Sequence, residues 1–282
     1  FVALISAISL HEFYSLMKTK GAAPLVWLGL LAGLLVNGAF IYERLQVEIY
    51  QFFASHGYQL KMFSQLQFLL VVQIVFIILV LIVELFRTKG SALMNVGSTL
   101  SGVLVISLCF GLLVGLRELF SYGFPVHKFM ASSMFASGAE LETVNRWGGF
   151  TILAVLASIW MCDTAAYFAG VSFGSHKLFP RVSPGKTWEG AAAGFVAAVA
   201  TMMVVQYLAL GYLTRTDALM LGAIIGVFGQ MGDLVESRLK RDAGVKDSSA
   251  IIPGHGGVYD RFDSLVFVTP FVYLYVDFVA LS

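Results

Sequence analysis

Residues 66–85 read LQFLLVVQIVFIILVLIVEL, and Glu84 is the single charged side chain in the run. At about 1.5 Å of helical rise per residue, the run reaches about 30 Å, the thickness of a bilayer's hydrocarbon core. Further apolar runs occupy residues 1–17, 24–41, 96–116, 150–172, 191–210, 219–235 and 265–281. The last two are less clean, with Asp233 near one end and Asp277 near the other. Eight long runs are too many to be buried as helices within one soluble core of 282 residues. Composition agrees: 58 % of residues are apolar and 12 % charged, against about 45–50 % and about 25 % in soluble domains. The mean hydropathy is +0.83.

These runs predict an all-α fold, a polytopic transmembrane helical bundle of about eight spans. The chain opens at Phe1, already inside an apolar run and without a basic lead-in. That predicts at least one more span upstream and argues against a signal peptide. Residues 1–149 read as N-terminal transmembrane helices and their loops, and 150–282 as a C-terminal catalytic region. The stretches 42–65 and 117–148 are polar enough for loops or interfacial helices. Glycines four apart, Gly190/Gly194 and Gly222/Gly226 among them, read as close helix contacts in lipid.

Basic residues set the expected orientation. With Lys18, Lys20, Arg87, Lys89, Lys177, Arg181, Lys186, Arg238, Lys240, Arg241, Lys246 and Arg261 on one side, 12 of the 18 Lys and Arg face one compartment. The positive-inside rule makes that side cytoplasmic. The expectation is a multi-pass protein of the inner (cytoplasmic) membrane whose active-site loops face the cytoplasm. A net charge of +1, with no long basic tract, argues against nucleic acid as a partner. Cys109 and Cys162 are isolated within apolar runs and read as small buried hydrophobes rather than a disulfide.

Against this apolar background, residues 231–264 stand out: MGDLVESRLKRDAGVKDSSAIIPGHGGVYDRFDS. Asp233, Glu236 and Ser237 have helical spacing, which puts them on one face, with Lys240 continuing it and Arg241 beside it. The Gly-rich turn at residues 253–257 brings the chain back to Asp260 and Asp263, again one helical turn apart. Asp233 facing Asp260 across two helices would offer hard oxygen ligands suited to Mg²⁺. His255 has no second His at ligand spacing, so zinc is poorly supported. The plain alternative is a solvated charged loop.

A second constellation is WMCDTAAYFAGVSFGSHKLFPRVSPGKTWEG, residues 160–190. Asp163 lies within an apolar run, where a carboxylate faces a bundle interior or polar cavity. The loop expected after it offers Lys177, Arg181, Ser183, Lys186 and Thr187 as a phosphate receptor. Positive-inside charge alone would explain those cations equally well. The GKT triplet does not make a nucleotide P-loop. G-x-x-x-x-G-K-[ST] would need Gly where Pro180 stands, and no strand is expected before it. Together the two constellations describe polyphosphate chemistry at a lipid interface, with phosphoryl or nucleotidyl transfer to a lipid more natural than ATP-driven transport.

The run from Ser237 to Asp263, with Lys240-Arg241, Lys246-Asp247, Ser249, Ile252-Pro253, His255-Gly256-Gly257 and Asp260-Arg261-Phe262-Asp263, resembles the signature of the phosphatidate cytidylyltransferase (CDP-diacylglycerol synthase) family, bacterial type. Asp163-Thr164-Ala165-Ala166-Tyr167 and Ser183-Pro184-Gly185-Lys186-Thr187-Trp188-Glu189-Gly190 resemble its upstream motifs. The family often has Lys where this chain has Gly185, which leaves Lys186 as the basic contact there. The resemblance implies cytidylyl transfer from CTP to phosphatidate, giving CDP-diacylglycerol and pyrophosphate. It implies Mg²⁺ as cofactor, K⁺ as a candidate second metal, and CTP, phosphatidate and the lipid bilayer as partners. Self-association as a homodimer stays open.

On this reading Asp233 and Asp260 bind metal and are catalytic, with Glu236 and Asp163 as further candidate ligands. Lys240, Lys246 and Asp163 join the catalytic group. Substrate contacts fall to Lys186, Ser183, Thr187, Ser237, Arg241, His255, Arg261, Asp247 and Asp263. The competing readings are CTP-dependent transfer or phosphorylation of another membrane lipid, and an ion-coupled transporter using Asp163 and Asp233.

Overall fold

The computed structural model describes residues 1–58, 62–121, 124–129, 138–251 and 256–282. Most of them lie in helices: α1 (Val2–Thr19), α2 (Val26–Ala39), α3 (Tyr42–Ser55), α4 (Gln65–Leu85), α5 (Ala92–Gly102), α6 (Leu108–Glu118), α7 (Val126–Phe129), α8 (Gly138–Phe173), α9 (Trp188–Ala209), α10 (Arg215–Asp242) and α11 (Tyr259–Tyr275). A π-helical turn, Val103–Ser107, joins α5 to α6, and another, Val276–Ala280, continues α11. Two short strands, β1 (Lys177–Phe179) and β2 (Ser183–Thr187), pair antiparallel between α8 and α9.

Among the described residues, six helical segments are long and apolar enough to cross a membrane: Gln65–Leu85, Ala92–Glu118, Gly138–Phe173, Trp188–Ala209, Arg215–Asp242 and Tyr259–Ala280. A seventh arises if α2 and α3, bent by 79° at their junction, count as one broken span. The protein is therefore a polytopic helical membrane protein, with fewer full-length spans than the apolar runs suggest. Helix α1 forms over the first run but is not among the six, since His11, Glu12 and Lys18 interrupt its apolar sequence. Only 11 % of the α4 window is covered by protein, so most of its apolar surface belongs in hydrocarbon.

The helix starts follow from local chemistry. Ser64 and Gln67 form a reciprocal capping box ahead of α4, with Ser64 N donating to Gln67 Oε1 at 2.9 Å and Gln67 N to Ser64 Oγ at 3.2 Å. Thr214 and Asp217 do the same for α10, at 2.8 and 3.1 Å. Thr187 Oγ1 accepts from Gly190 N at 3.2 Å and caps α9.

Two compact units emerge, residues 1–115 with 243–261, and residues 116–242 with 262–282. The division expected at 149/150 falls inside the unbroken helix α8. In the first unit Tyr14 donates to Thr99 O at 2.8 Å, tying α1 to α5. Asn37 Nδ2 donates to Gly33 O and to Ser107 O, at 2.8 and 3.1 Å, tying α2 to the first π turn. In the second unit α9 packs against both α8 and α10.

The α9–α10 contact depends on a residue without a side chain. A Cβ at Gly222 would lie 2.6 Å from Val199 Cα, a backbone atom that cannot swing aside. Gly222→Ala is expected to destabilise the second unit by about 1–3 kcal/mol through overpacking. A lowered unfolding midpoint in detergent is the readout. Gly97→Ala, where nothing lies within 4 Å, serves as control. Equal midpoints for the two variants would refute the close-contact explanation.

Candidate metal and phosphate site

Helix α10 runs unbroken through Asp242, so Asp233, Glu236, Ser237 and Lys240 share its last turns. Helix α11 passes close to it. A Cβ at Gly232 would fall 2.9 Å from Asp263 O and 2.8 Å from Phe267 Cβ. That approach brings Asp263 to the face of α10. One carboxylate oxygen from each of Asp233, Glu236 and Asp263 lies within 4.8 Å of the others. Three hard oxygen donors converging this tightly suit a small divalent cation such as Mg²⁺.

Two lysines border the cluster. Lys186 Nζ lies 2.6 Å from Asp233 Oδ2, and Lys240 Nζ 2.6 Å from Glu236 Oε2. The Lys240–Glu236 pair is almost shut off from solvent, with side-chain exposures of 13 % and 2 %, while Lys186 and Asp233 stand at 27 % and 34 %. The first pair is therefore fixed and the second is open to an incoming ligand. Ser237 Oγ donates to Asp233 Oδ1 at 3.2 Å. Asp163 lies on α8, within the membrane-spanning helix Gly138–Phe173.

Lys186 is delivered by structure where a loop was expected. β1 and β2 form a small hairpin with Lys177 opposite Thr187 and Phe179 opposite Ser183. The alternation of Ser, Gly and Thr with Lys186 lets the segment extend. His176 Nδ1 lies 2.7 Å from Glu189 Oε1, and Trp188 N donates to His176 O at 2.9 Å, closing the hairpin onto the start of α9. A strand thus does carry the GKT triplet, against expectation, but as half of a hairpin rather than as the strand before a phosphate loop. Thr187 is buried, with its hydroxyl engaged in the α9 cap.

The other part of the signature lies in the first unit. Asp260 Oδ2 accepts from Gly257 N, Ser248 N and Ser248 Oγ at 2.7, 2.9 and 3.0 Å. Gly256 has φ +78°, a region that favours glycine, and a Cβ there would also sit 2.7 Å from Asp260 Oδ2. Arg241, Lys246, Asp247 and Arg261 are exposed, and Ser183 is half-buried. His255 lies outside the described residues.

One carboxylate here was absent from the sequence reading. Glu12 of α1, 1 % exposed, reaches the signature segment and accepts from Ser248 Oγ, Ser249 Oγ, Val258 N and Tyr259 N. Its signal was available: an acidic side chain in the apolar run 1–17 needs buried partners.

The sequence matches the profile described as the Cytidylyltransferase family over residues 1–279. The chain is similar to the phosphatidate cytidylyltransferase of Bacillus subtilis, at 46 % identity over 134 residues, covering 48 % of this chain and 50 % of that protein. It is also similar to that of Haemophilus influenzae, at 42 % over 136 residues and 47 % of each chain. With that of Staphylococcus epidermidis it shares 44 % identity over 119 residues, 42 % of this chain and 46 % of the relative. The chain spans about half the length of the curated relatives it matches. With its family profile running nearly end to end, and its carboxylates and lysines gathered among membrane helices, the chain belongs to the Cytidylyltransferase family.

Proposed function

We propose that the protein transfers a cytidylyl group from CTP to phosphatidate, giving CDP-diacylglycerol and pyrophosphate, at the cytoplasmic face of the inner membrane. The observation that carries this reading is the Asp233–Glu236–Asp263 cluster with Lys186 and Lys240 at its edge, in a membrane-spanning member of a cytidylyltransferase family. The names of the bacterial relatives support the choice of lipid.

A lipid phosphate oxygen attacks the CTP α-phosphorus in line. The new P–O bond forms as the bond to the β-phosphate's bridging oxygen breaks, and pyrophosphate departs with that electron pair. A phosphate monoester has a second pKa near 6, so the nucleophile is largely dianionic at neutral pH and needs no strong general base. His255 is accordingly assigned to substrate contact rather than to proton abstraction.

Asp233, Glu236 and Asp263 would hold Mg²⁺, which when bound neutralises charge on the phosphate oxygens and orients them. Lys186, more exposed than Lys240, turns from Asp233 to the phosphates. Lys240, paired with Glu236, holds that carboxylate in place. Ser183 and Ser237 donate hydrogen bonds, and Arg241, Lys246 and Arg261 are assigned the remaining phosphate charge on the family resemblance alone. Asp163 holds Lys186 in register, and Asp247 steadies the neighbouring cations. Asp260 enters on the family resemblance, one helical turn before Asp263. K⁺ as a second metal rests on that resemblance too.

Purified protein given CTP, phosphatidate and Mg²⁺ is expected to release CDP-diacylglycerol and pyrophosphate in equal amounts. CDP with a phosphorylated lipid would point to a kinase. Substrate uptake into proteoliposomes without pyrophosphate would point to a transporter. Either result overturns the proposal. Lys186→Ala is expected to lower kcat/KM for CTP by about 10- to 100-fold, the worth of one charge-assisted hydrogen bond. Steady-state kinetics within twofold of the unsubstituted protein would remove Lys186 from the phosphate site.

A further inference from the structure

Glu12 occupies an unusual place for a membrane-helix carboxylate. It comes from α1, yet all four of its hydrogen bonds go to a segment more than 230 residues away. Oε1 accepts from Ser249 Oγ at 2.5 Å and Val258 N at 3.0 Å. Oε2 accepts from Tyr259 N at 2.7 Å and Ser248 Oγ at 3.3 Å. Oε1 thus receives a backbone N–H and the Ser249 hydroxyl, and Oε2 a backbone N–H and a share of the one Ser248 hydroxyl proton, which Asp260 Oδ2 also faces. No cation is within ion-pair reach of it among the described residues, and these four donors offset its burial.

The donors come from both sides of the Gly-rich segment of the sequence. Ser248 and Ser249 precede it, and Val258 and Tyr259 open α11, whose first turn has N–H groups without helical partners. A carboxylate there is also favoured by the positive end of the helix dipole. Ser248 Oγ lies between Glu12 Oε2 and Asp260 Oδ2, at 3.3 and 3.0 Å, so one hydroxyl links the two acids. The fit is tight. A Cβ at Gly257 would collide with Ser248 Oγ and lie 2.7 Å from Glu12 Oε2.

We infer that Glu12 is a positioning residue for the proposed transfer: it clamps Ser248 and Ser249 to the start of α11, and so sets the orientation of Asp260. The inference rests on the functional reading above for its effect on turnover, though not for the clamp itself. A carboxamide cannot replace the clamp. Both oxygens face a backbone N–H, and the NH₂ of a Gln would meet one of them donor to donor. The serine hydroxyls can rotate to accept, but the backbone amides cannot.

The test compares the unsubstituted protein, Glu12→Gln and Ser249→Ala in lipid nanodiscs by steady-state kinetics and by peptide-level hydrogen exchange. For Glu12→Gln, kcat is expected to fall about 10- to 100-fold, in line with one buried charged hydrogen-bond set, while KM for CTP and for phosphatidate changes less than about threefold. Exchange should accelerate in peptides from 243–261 and stay unchanged in α9 and α10. Ser249→Ala, which keeps both backbone contacts, should lose only a few-fold in kcat. A kcat within threefold for Glu12→Gln overturns the inference. So does faster exchange throughout the chain, which would mark Glu12 as a general stabiliser. If the unsubstituted protein shows no CTP turnover, the functional reading fails instead. The exchange pattern then decides the clamp alone: local acceleration supports it and an unchanged segment overturns it.

Discussion

Asp233→Asn is expected to reduce CDP-diacylglycerol formation by about a thousandfold, while folded protein is recovered at near-normal yield. The substitution is nearly isosteric, and its amide oxygen can still accept from Ser237 Oγ. What disappears is one negative charge at the point where Lys186 and two other carboxylates meet. Loss of one preorganised electrostatic partner at a reacting phosphate costs on the order of 10²–10³ in rate, and loss of a metal oxygen adds to it. The check is single-turnover chemistry at saturating CTP and phosphatidate, with Mg²⁺ raised until no further gain is seen. Near-normal turnover would sink the assignment of α10 as the metal helix.

Asp263→Asn should separate activity from stability. Three carboxylate oxygens within 4.8 Å repel one another when no cation lies between them. At an effective dielectric near 20, a like-charge pair 4.8 Å apart costs about 3.5 kcal/mol before Lys186, Lys240 and solvent offset part of it. Removing one charge is expected to raise the unfolding midpoint in EDTA by a few degrees, while turnover falls by about a hundredfold or more. Mg²⁺ should then stabilise the unsubstituted protein more than the variant, since only binding to the folded state shifts its midpoint. A variant that keeps its activity, or whose midpoint responds to Mg²⁺ like the parent, would contradict a shared carboxylate site.

The membrane class was legible because twenty apolar residues have one economical solution in water and lipid, a helix satisfying its own backbone. The number of crossings was less so. Hydropathy marks 1–17 as a span, whereas the structure turns that helix inward through Glu12. Residues 24–41 yield only the 14-residue α2, followed by a 79° bend. The face of α10 could be read from i, i+3, i+4 spacing. Its partner could not. Spacing points to Asp260 as the carboxylate facing Asp233, whereas the close approach at Gly232 brings Asp263 into the cluster. The β1–β2 hairpin was hidden because its strands are three and five residues long, too short to show a period-2 pattern. Glu12 was hidden for another reason: its partners lie more than 230 residues along the chain, beyond any local pattern.

Helix α8 has one further consequence. Asp163 stands ten residues before the helix ends at Phe173, about 15 Å along the axis. Tyr167, Phe168, Val171 and Phe173 on that last stretch all present apolar surface outward. Under the proposed transfer, a phosphate brought to the level of Asp163 gives up part of its bulk water, since α8 is apolar outward over a distance comparable to half a hydrocarbon core. Lys186 must replace part of that lost hydration. A lipid phosphate, already tethered at the membrane surface, has far less water to shed on the way. Under the proposed transfer, the free nucleotide thus has the more hydration to give up at that depth, and the lipid phosphate the less.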